Sequence, residues 1–372
     1  MRIAYISLSE IPSRSAHSIH IMRMCNAFSL NGESVTLIIP CYREDRPSAS
    51  EIFDWYGLKQ TFEIKYLRVP SVKGRSTYFY LAAFWICHRE RFSLIYTREV
   101  RGAVWSAFYR IPAILESHGR LKTEFEKRCF RWLYERKRFL RHVVISSALS
   151  RLFDGDFPNT GDKRLVAHDG ADSPADTIDD LGDQAQDDTF IVGYVGHLYQ
   201  GRGLDLIKSL AQRIPSADFH IVGGLDTDIE TWQNNFEGHP NIKLFGFLPY
   251  AEAEKIRQKC DVLIAPYQTG LQTFGGDNDT SQWMSPLKVF EYMAVGKPIV
   301  CSDLPPLREI LSHRETALLC HPADVDMWED SLRSLRENPE LRDRLGAAAR
   351  DVFEKKYQWS SRAKKVIGAI WE

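Results

Sequence analysis

Residues 285–298 read Ser285-Pro286-Leu287-Lys288-Val289-Phe290-Glu291-Tyr292-Met293-Ala294-Val295-Gly296-Lys297-Pro298, a run whose residue types suit anion chemistry. Ser285 is a good N-cap and Pro286 a good first helical residue, so a helix is expected to start there. The N–H groups of Leu287 and Lys288 then lack intrahelical partners and point outward, where a diphosphate is the natural guest. Glu291 follows about a turn and a half later, placed to accept hydrogen bonds from ribose hydroxyls. Gly296 and Pro298 end the helix and feed an apolar strand, Ile299 to Cys301. The same pattern also fits an ordinary capped helix packed on a sheet.

Such a helix needs a sheet behind it, and the rest of the chain supplies two. Short β-rich runs alternate with helical patterns, the signature of an α/β fold with parallel sheets covered on both faces. In the first half the expected strands are Ile3–Ser7, Val35–Ile39, Ile64–Val69, Leu94–Tyr96, Ala113–Leu115, His142–Ile145 and Leu165–Ala167. In the second they are Phe190–Val195, Phe219–Val222, Ile242–Leu244, Val262–Ala265, Ile299–Cys301 and Ala317–Leu319. Seven aspartates between Asp172 and Asp188, with few apolar residues, read as a solvated linker. The expected division is residues 1–171, an acidic linker 172–188, residues 189–356, and a terminal segment 357–372.

A chain of 372 residues, 44% hydrophobic, can bury two cores, and a net charge of −1 argues against a dedicated nucleic-acid binder. Seven scattered cysteines without a C-x-x-C pair indicate neither a disulfide framework nor a zinc site, and suggest a reducing compartment. Met1-Arg2 leads directly into a strand without a signal-peptide layout. The most apolar run, Tyr78 to Cys87, is shorter than the roughly 20 residues needed to span a bilayer.

Several segments carry a resemblance. Ser285–Asp303 is similar to the donor-site signature of the retaining glycosyltransferases of family 4, which have the GT-B fold. Val195-Gly196-His197-Leu198-Tyr199-Gln200-Gly201-Arg202-Gly203 resembles that family's strand-to-helix glycine loop. Val222-Gly223-Gly224, Phe245-Gly246-Phe247-Leu248 and Asp261–Pro266 resemble its later strand ends; Ile145-Ser146-Ser147 and His168–Asp172 resemble the end of its first domain. The resemblance implies two Rossmann-like doubly wound domains facing a central cleft, the first for the acceptor and the second for a nucleotide diphosphate sugar. It implies transfer with retention of configuration, without cofactor or essential metal, and a front-face mechanism in which the leaving diphosphate assists deprotonation of the acceptor hydroxyl.

Expulsion of a diphosphate calls for positive charge and N–H donors where charge accumulates. The resemblance assigns that work to Arg202, at the family's lysine position, and to Lys288, with Gly196, His197, Gly223, Phe247, Ser285, Pro286, Leu287 and Glu291 completing the donor site. Two positions depart from the family. His197 stands where an arginine is common. Trp283 stands where the first of two glutamates eight residues apart would fall, leaving Glu291 as the second. Gly275-Gly276-Asp277-Asn278-Asp279 offers substitute carboxylates, and equally a plain turn.

In the first domain, Ile114-Leu115-Glu116-Ser117-His118-Gly119 is a strand running into a loop, and a histidine there is expected to lie near the donor sugar. Glu116 is its expected companion on the acceptor side. Leu8 to Ser18 takes the place of a glycine-rich acceptor loop, with Ser15, Ala16 and His17 as acceptor contacts. Residues 120–141 hold nine basic residues against three acidic ones, interleaved with Phe125, Phe130, Trp132, Tyr134 and Phe139. They read as a basic aromatic helix for an anionic membrane surface, or as a solvated face with aromatics packed inward. Tyr357–Ser360 and Ala363–Trp371 resemble the family's closing helix, which returns to the first domain. The acceptor implied is a saccharide or lipid-linked saccharide in surface polysaccharide synthesis, at a cytoplasmic or peripheral membrane location. A catalytically silent nucleotide-sugar-binding subunit and a GT-B nucleotide-sugar epimerase are the competing readings.

Overall fold

A computed structural model describes residues 1–42, 47–70, 72–174, 189–270 and 279–370. The chain divides into two compact units, Met1–Asp169 with Trp359–Glu372, and Gly170–Gln358. Most of the acidic linker, and residues 275–278 of the glycine-rich loop, lie outside the described residues.

Unit 1 contains β1 (Arg2–Ile6), β2 (Ser34–Cys41), β3 (Glu63–Arg68), β4 (Leu94–Thr97), β5 (Ala113–Ser117), β6 (Phe139–Val144) and β7 (Arg164–Val166). Unit 2 contains β8 (Phe190–Val195), β9 (Ala217–Val222), β10 (Ile242–Gly246), β11 (Val262–Ala265), β12 (Ile299–Ser302) and β13 (Leu318–Cys320). Each expected strand is present, its ends shifted by three residues at most. The orders are β3-β2-β1-β4-β5-β6-β7 and β10-β9-β8-β11-β12-β13, every neighbour pair parallel. Both sheets are therefore doubly wound, with chain direction reversing beside β1 and beside β8. In such sheets ligands bind at the carboxyl ends of the strands flanking the reversal. Burial on both faces explains the near-continuous apolar runs of β1, β2, β8 and β11.

In unit 1 the helix Trp359–Ile367 packs on the helix Ala16–Leu30. Asn31 Nδ2 donates to Ser360 O at 2.8 Å, and Arg141 donates to Val366 O and Gly368 O at 2.7 and 2.8 Å. A guanidinium thus satisfies the carbonyls that a helix C-terminus leaves open.

Residues 120–141 do not form one helix. The helix is Glu124–Tyr134, held at its start by a capping box between Thr123 and Glu126, and Phe139 to Arg141 belong to β6. Phe130, Leu133 and Tyr134 are buried, whereas Phe125 is 58% exposed. The segment mixes both earlier readings: part of its aromatic content is core and part faces outward. No helix among the described residues is long and apolar enough to cross a membrane.

Candidate functional site

The loop after β8 and the helix Leu287–Val295 bring two cations together in unit 2. Lys288 is 8% exposed and its Nζ has no hydrogen-bond partner among the described residues. It lies 3.7 Å from the centroid of the Tyr194 ring and 5.1 Å from that of Tyr267. Arg202 Cζ approaches the same Tyr267 ring at 5.4 Å and the Tyr199 ring at 4.7 Å, while Nη2 donates to Tyr199 Oη at 2.6 Å and Nε is buried without a partner. Aromatic faces are thus the nearest negative density for both cations. Burial, with the Arg202 charge beside it, pulls the Lys288 ammonium well below its ordinary value.

The glycines make this approach possible. A Cβ on Gly196 would stand 2.6 Å from Lys288 Nζ, and one on Gly223 would stand 2.1 Å from Gly196 O. Side chains at either position would push the β8 and β9 loops off the lysine. His197, in the same loop, is held neutral down to about 4 by burial and by the Arg202 and Lys288 charges, so it cannot replace the arginine common in related loops. Its backbone carbonyl accepts from Tyr194 Oη at 2.5 Å.

The helix itself starts one residue later than its sequence suggests. Pro286 is the N-cap and makes no side-chain cap bond, and Leu287 is the first helical residue. The Pro286 ring fixes φ at −81° but leaves ψ at 119°, outside the helical range, so Ser285 is not the cap. The first turn remains short of side-chain acceptors. Glu291 is partly buried and accepts from Arg257 Nη1 at 3.3 Å, which neutralises a guanidinium that is itself 2% exposed. Phe247, after β10, is 38% exposed. Nothing in the residue spacing singles out Tyr194, Tyr199, Tyr267 or Arg257; the only signal is that Tyr267 directly follows the β11 end at Ala265-Pro266.

Unit 1 holds a second charged cluster, of opposite character. Glu116 ends β5 fully buried, and its carboxylate is occupied on every side. Arg362 Nη2 donates to Oε1 at 2.8 Å, Arg362 Nη1 lies 3.3 Å from Oε2, Tyr96 Oη donates to Oε2, and His118 Nε2 lies 2.5 Å from Oε1. The Glu116 carboxylate, expected as an acceptor contact, thus already has partners within unit 1. The Arg362 charge and these donors hold its carboxyl well below the usual range despite burial. Burial and the Arg98 charge push His118 down to about 4, so the ring is neutral. A carboxylate only accepts, which puts the ring proton on Nε2 and leaves Nδ1 as an acceptor.

His20 sits between two carboxylates, with Nε2 3.0 Å from Glu116 Oε1 and Nδ1 3.1 Å from Asp169 Oδ1. A neutral ring donates to one of them only. Asp169, pushed up to about 7 by burial, can carry the other proton. His20, Glu116, His118 and Asp169 have ligand atoms within 4.8 Å of one another, a set with metal-binding chemistry. The Arg362 guanidinium already supplies the positive charge there, 2.8 Å from Glu116 and 3.8 Å from Asp169.

Of the expected acceptor contacts, His17 joins this cluster: burial, with the Arg98 charge beside it, lowers it to about 2. Ser15 is the N-cap of the helix Ala16–Leu30, accepting from Ser18 N at 3.2 Å, so the loop ends sooner than Ser18 and Ala16 is already helical. Arg362 and His20 carry no motif signal. Asp169 stands inside the run His168–Asp172, which by pattern marks only a domain end.

Residues 182–352 match the model of the family glycosyl transferases group 1. The second unit carries a domain of that family. Sulfoquinovosyl transferase SQD2 of Arabidopsis thaliana is 28% identical over 189 residues, 49% of this chain and 34% of the relative. A phosphatidyl-myo-inositol mannosyltransferase of Mycobacterium leprae is 27% identical over 165 residues, 44% of this chain and 40% of the relative. The matched stretches thus span well under half of each relative. Among solved structures, Anabaena HepE in complex with UDP superposes with a TM-score of 0.73 at 15% identity, covering 98% of each chain; the same protein has been solved with UDP-glucose. At that identity the likeness is one of fold, and the fold is GT-B.

Proposed function

We propose that this chain is a retaining glycosyltransferase that moves a sugar from a UDP- or GDP-linked donor to a hydroxyl of a saccharide or lipid-linked acceptor, in the assembly of a surface polysaccharide. The observation that carries the reading is the Lys288–Arg202 pair: two basic side chains, Lys288 buried without a partner among the described residues in the first turn of its helix beside Gly196, and Arg202 from the loop after β8. A departing diphosphate is the anion that this arrangement lacks. In the same reading Leu287 and Lys288 offer backbone N–H groups, Glu291 accepts from the ribose, and Gly223, His197 and Phe247 border the nucleotide. His118 accepts a hydrogen bond from a sugar or acceptor hydroxyl through Nδ1, with His17 beside it. The two cations supply the electrostatics that a metal would otherwise provide, so the transfer is independent of added metal.

A thermal-shift screen of UDP- and GDP-sugars tests the donor site, since ligand at 100 times its dissociation constant adds about 2.7 kcal/mol. Product anomers followed by NMR, with and without EDTA, test retention and metal independence. Inverted product, or activity abolished by EDTA, would overturn those parts. A silent nucleotide-sugar-binding subunit is the second reading, favoured by Trp283 and His197 at positions where related loops carry charged groups. Stabilisation by a donor with neither hydrolysis nor transfer would select it.

We also propose that the acceptor lies at an anionic membrane. Tyr78, Leu81 and Trp85 form an exposed stripe on the helix Arg75–Arg89, and Phe108 and Phe125 project from the two helices that follow. Arg101 and Arg136 lie over Phe125 and Trp132 at 5.7 and 4.2 Å. Cations beside exposed aromatics suit an anionic lipid interface. The chain should sediment with phosphatidylglycerol vesicles at low salt. Arg136→Gln, Lys137→Gln and Arg138→Gln together should release it, and a wild type that ignores such vesicles overturns the membrane reading.

A further inference from the structure

We propose that Lys288 stands as a neutral amine in the empty site and gains its proton when a diphosphate arrives, so that nucleotide binding takes up one proton. This rests on the donor-site reading above and adds to it a charge state.

Lys288 comes from the second position of its helix, and its head lies against Gly196 with no hydrogen-bond partner. Three donors and no acceptor is the least favourable arrangement for a buried ammonium. The facing groups come from every element packed there. The loop after β8 brings Arg202, Tyr199 and His197; β8 brings Tyr194; the segment after β11 brings Tyr267; β12 brings Cys301; and Glu291 lies a turn along the same helix. Arg202 is a fixed positive charge, since a guanidinium does not deprotonate in proteins.

None of the others offers a free counter-charge. Glu291 is taken by Arg257. Burial raises the Cys301 thiol and the Tyr194 and Tyr267 hydroxyls, so these three are neutral. Burial and the Arg202 charge lower His197, so it is neutral whether or not Lys288 is charged. The attraction of the Tyr194 face for a cation is smaller than the cost of burying an uncompensated ion. Of the two neighbouring cations, the lysine is the one able to relieve the site by releasing a proton, and burial with the Arg202 charge moves it in that direction.

A diphosphate reverses the balance by bringing at least two negative charges to the same spot. The step is R–NH₂ + H⁺ → R–NH₃⁺, the proton coming from solvent. At pH 8 the terminal phosphate, whose last pKa is about 6, is already ionised and contributes no proton. At that pH His197 would remain largely neutral even if its pKa recovered to the ordinary value of 6.5. The lysine is therefore the group whose uptake is visible.

Titration calorimetry of the full chain with UDP and with GDP at pH 8, in Hepes, Tricine and Tris, reads the uptake directly. The binding enthalpy should vary linearly with buffer ionisation enthalpy, with a slope near one proton taken up, and affinity should weaken about tenfold from pH 7.5 to 8.5. Lys288→Met should bind more weakly with a buffer-independent enthalpy. A wild type that binds either nucleotide with buffer-independent enthalpy overturns the proposal and leaves the donor site standing. Uptake that persists in Lys288→Met also overturns it. If the folded chain binds neither nucleotide, the donor-site reading itself has failed. Should Lys288→Met not fold, the buffer and pH series on the wild type decides alone.

Discussion

The two units each bury a charged cluster, and the clusters are built on opposite plans. In unit 1 the Arg362 guanidinium, 2% exposed at its side chain, meets a carboxylate, two backbone carbonyls and a ring of further donors around Glu116. Charge is matched from within, although His17 Nε2, His20 Nε2 and Arg98 Nη1 are buried there without a hydrogen-bond partner among the described residues. In unit 2, Lys288 has no partner and Arg202 only a tyrosine hydroxyl and aromatic faces. In the first cluster the buried carboxylate already has its counter-ion, and that pair holds the closing helix on β5. The second has no anionic partner among the described residues. Buried charge by itself thus says little about function; whether its partners are already present says a great deal.

Removing one cation from each cluster should separate them most sharply. Arg362→Met strands the Glu116 carboxylate and should cost about 3–5 kcal/mol, the usual penalty for breaking a buried pair. Lys288→Met removes a donor that has no acceptor and should stabilise the nucleotide-free chain by about 1–3 kcal/mol. Urea unfolding of both variants checks the contrast. A destabilised Lys288→Met in the absence of ligand would mean that the lysine is a structural element and that the two clusters are alike.

pH offers a finer separation within unit 1. His118 has a folded-state pKa of about 4 against an ordinary 6.5, so between those values the unfolded chain binds more protons and stability rises with pH. Asp169 does the reverse. Its folded pKa of about 7 exceeds the ordinary 3.8, so its contribution is full below pH 4 and is lost as pH climbs through 7. The two largely cancel between pH 4 and 6.5. Asp169→Asn removes one side of the balance, and stability should then climb with pH more steeply by up to about 1.4 kcal/mol per pH unit. Unfolding at pH 4.5, 5.5 and 6.5 measures the slope; equal slopes in wild type and variant would show that Asp169 is ionised throughout.

The sequence made the fold legible because parallel strands buried on both faces write themselves as apolar runs, and the helix of the donor motif was visible in Pro286, Gly296 and Pro298. Its start was misread because Ser285 and Pro286 both satisfy N-terminal preferences and only backbone geometry decides between them. Lys288 and Arg202 were legible as positions but not as a pair, since 86 residues separate them and their meeting depends on Gly196. The unit 1 cluster was legible only at Glu116, His118 and His17. Arg362 lies on an amphipathic helix where a charged residue ordinarily faces water, and His20 lies on a helix buried throughout from His20 to Phe28, where a histidine reads as core.

The smallest expected effect concerns Glu291, which stands between the two plans because it is already paired and is also the proposed ribose acceptor. Its bond to Arg257 makes alanine a poor probe, since truncation leaves a buried guanidinium unpaired and mixes stability with binding. Glu291→Gln keeps a carbonyl oxygen for both Arg257 and a ribose hydroxyl, and removes only the charge. A charged hydrogen bond contributes about 1.5–3 kcal/mol and a neutral one about 0.5–1.5, so the loss in UDP or GDP affinity should be about 1 kcal/mol, roughly fivefold. The unfolding free energy should fall by a similar amount through Arg257. If affinity is unchanged while stability falls, Glu291 belongs with Glu116 as an internal counter-ion, and the open character of the unit 2 site rests on Lys288 and Arg202 alone.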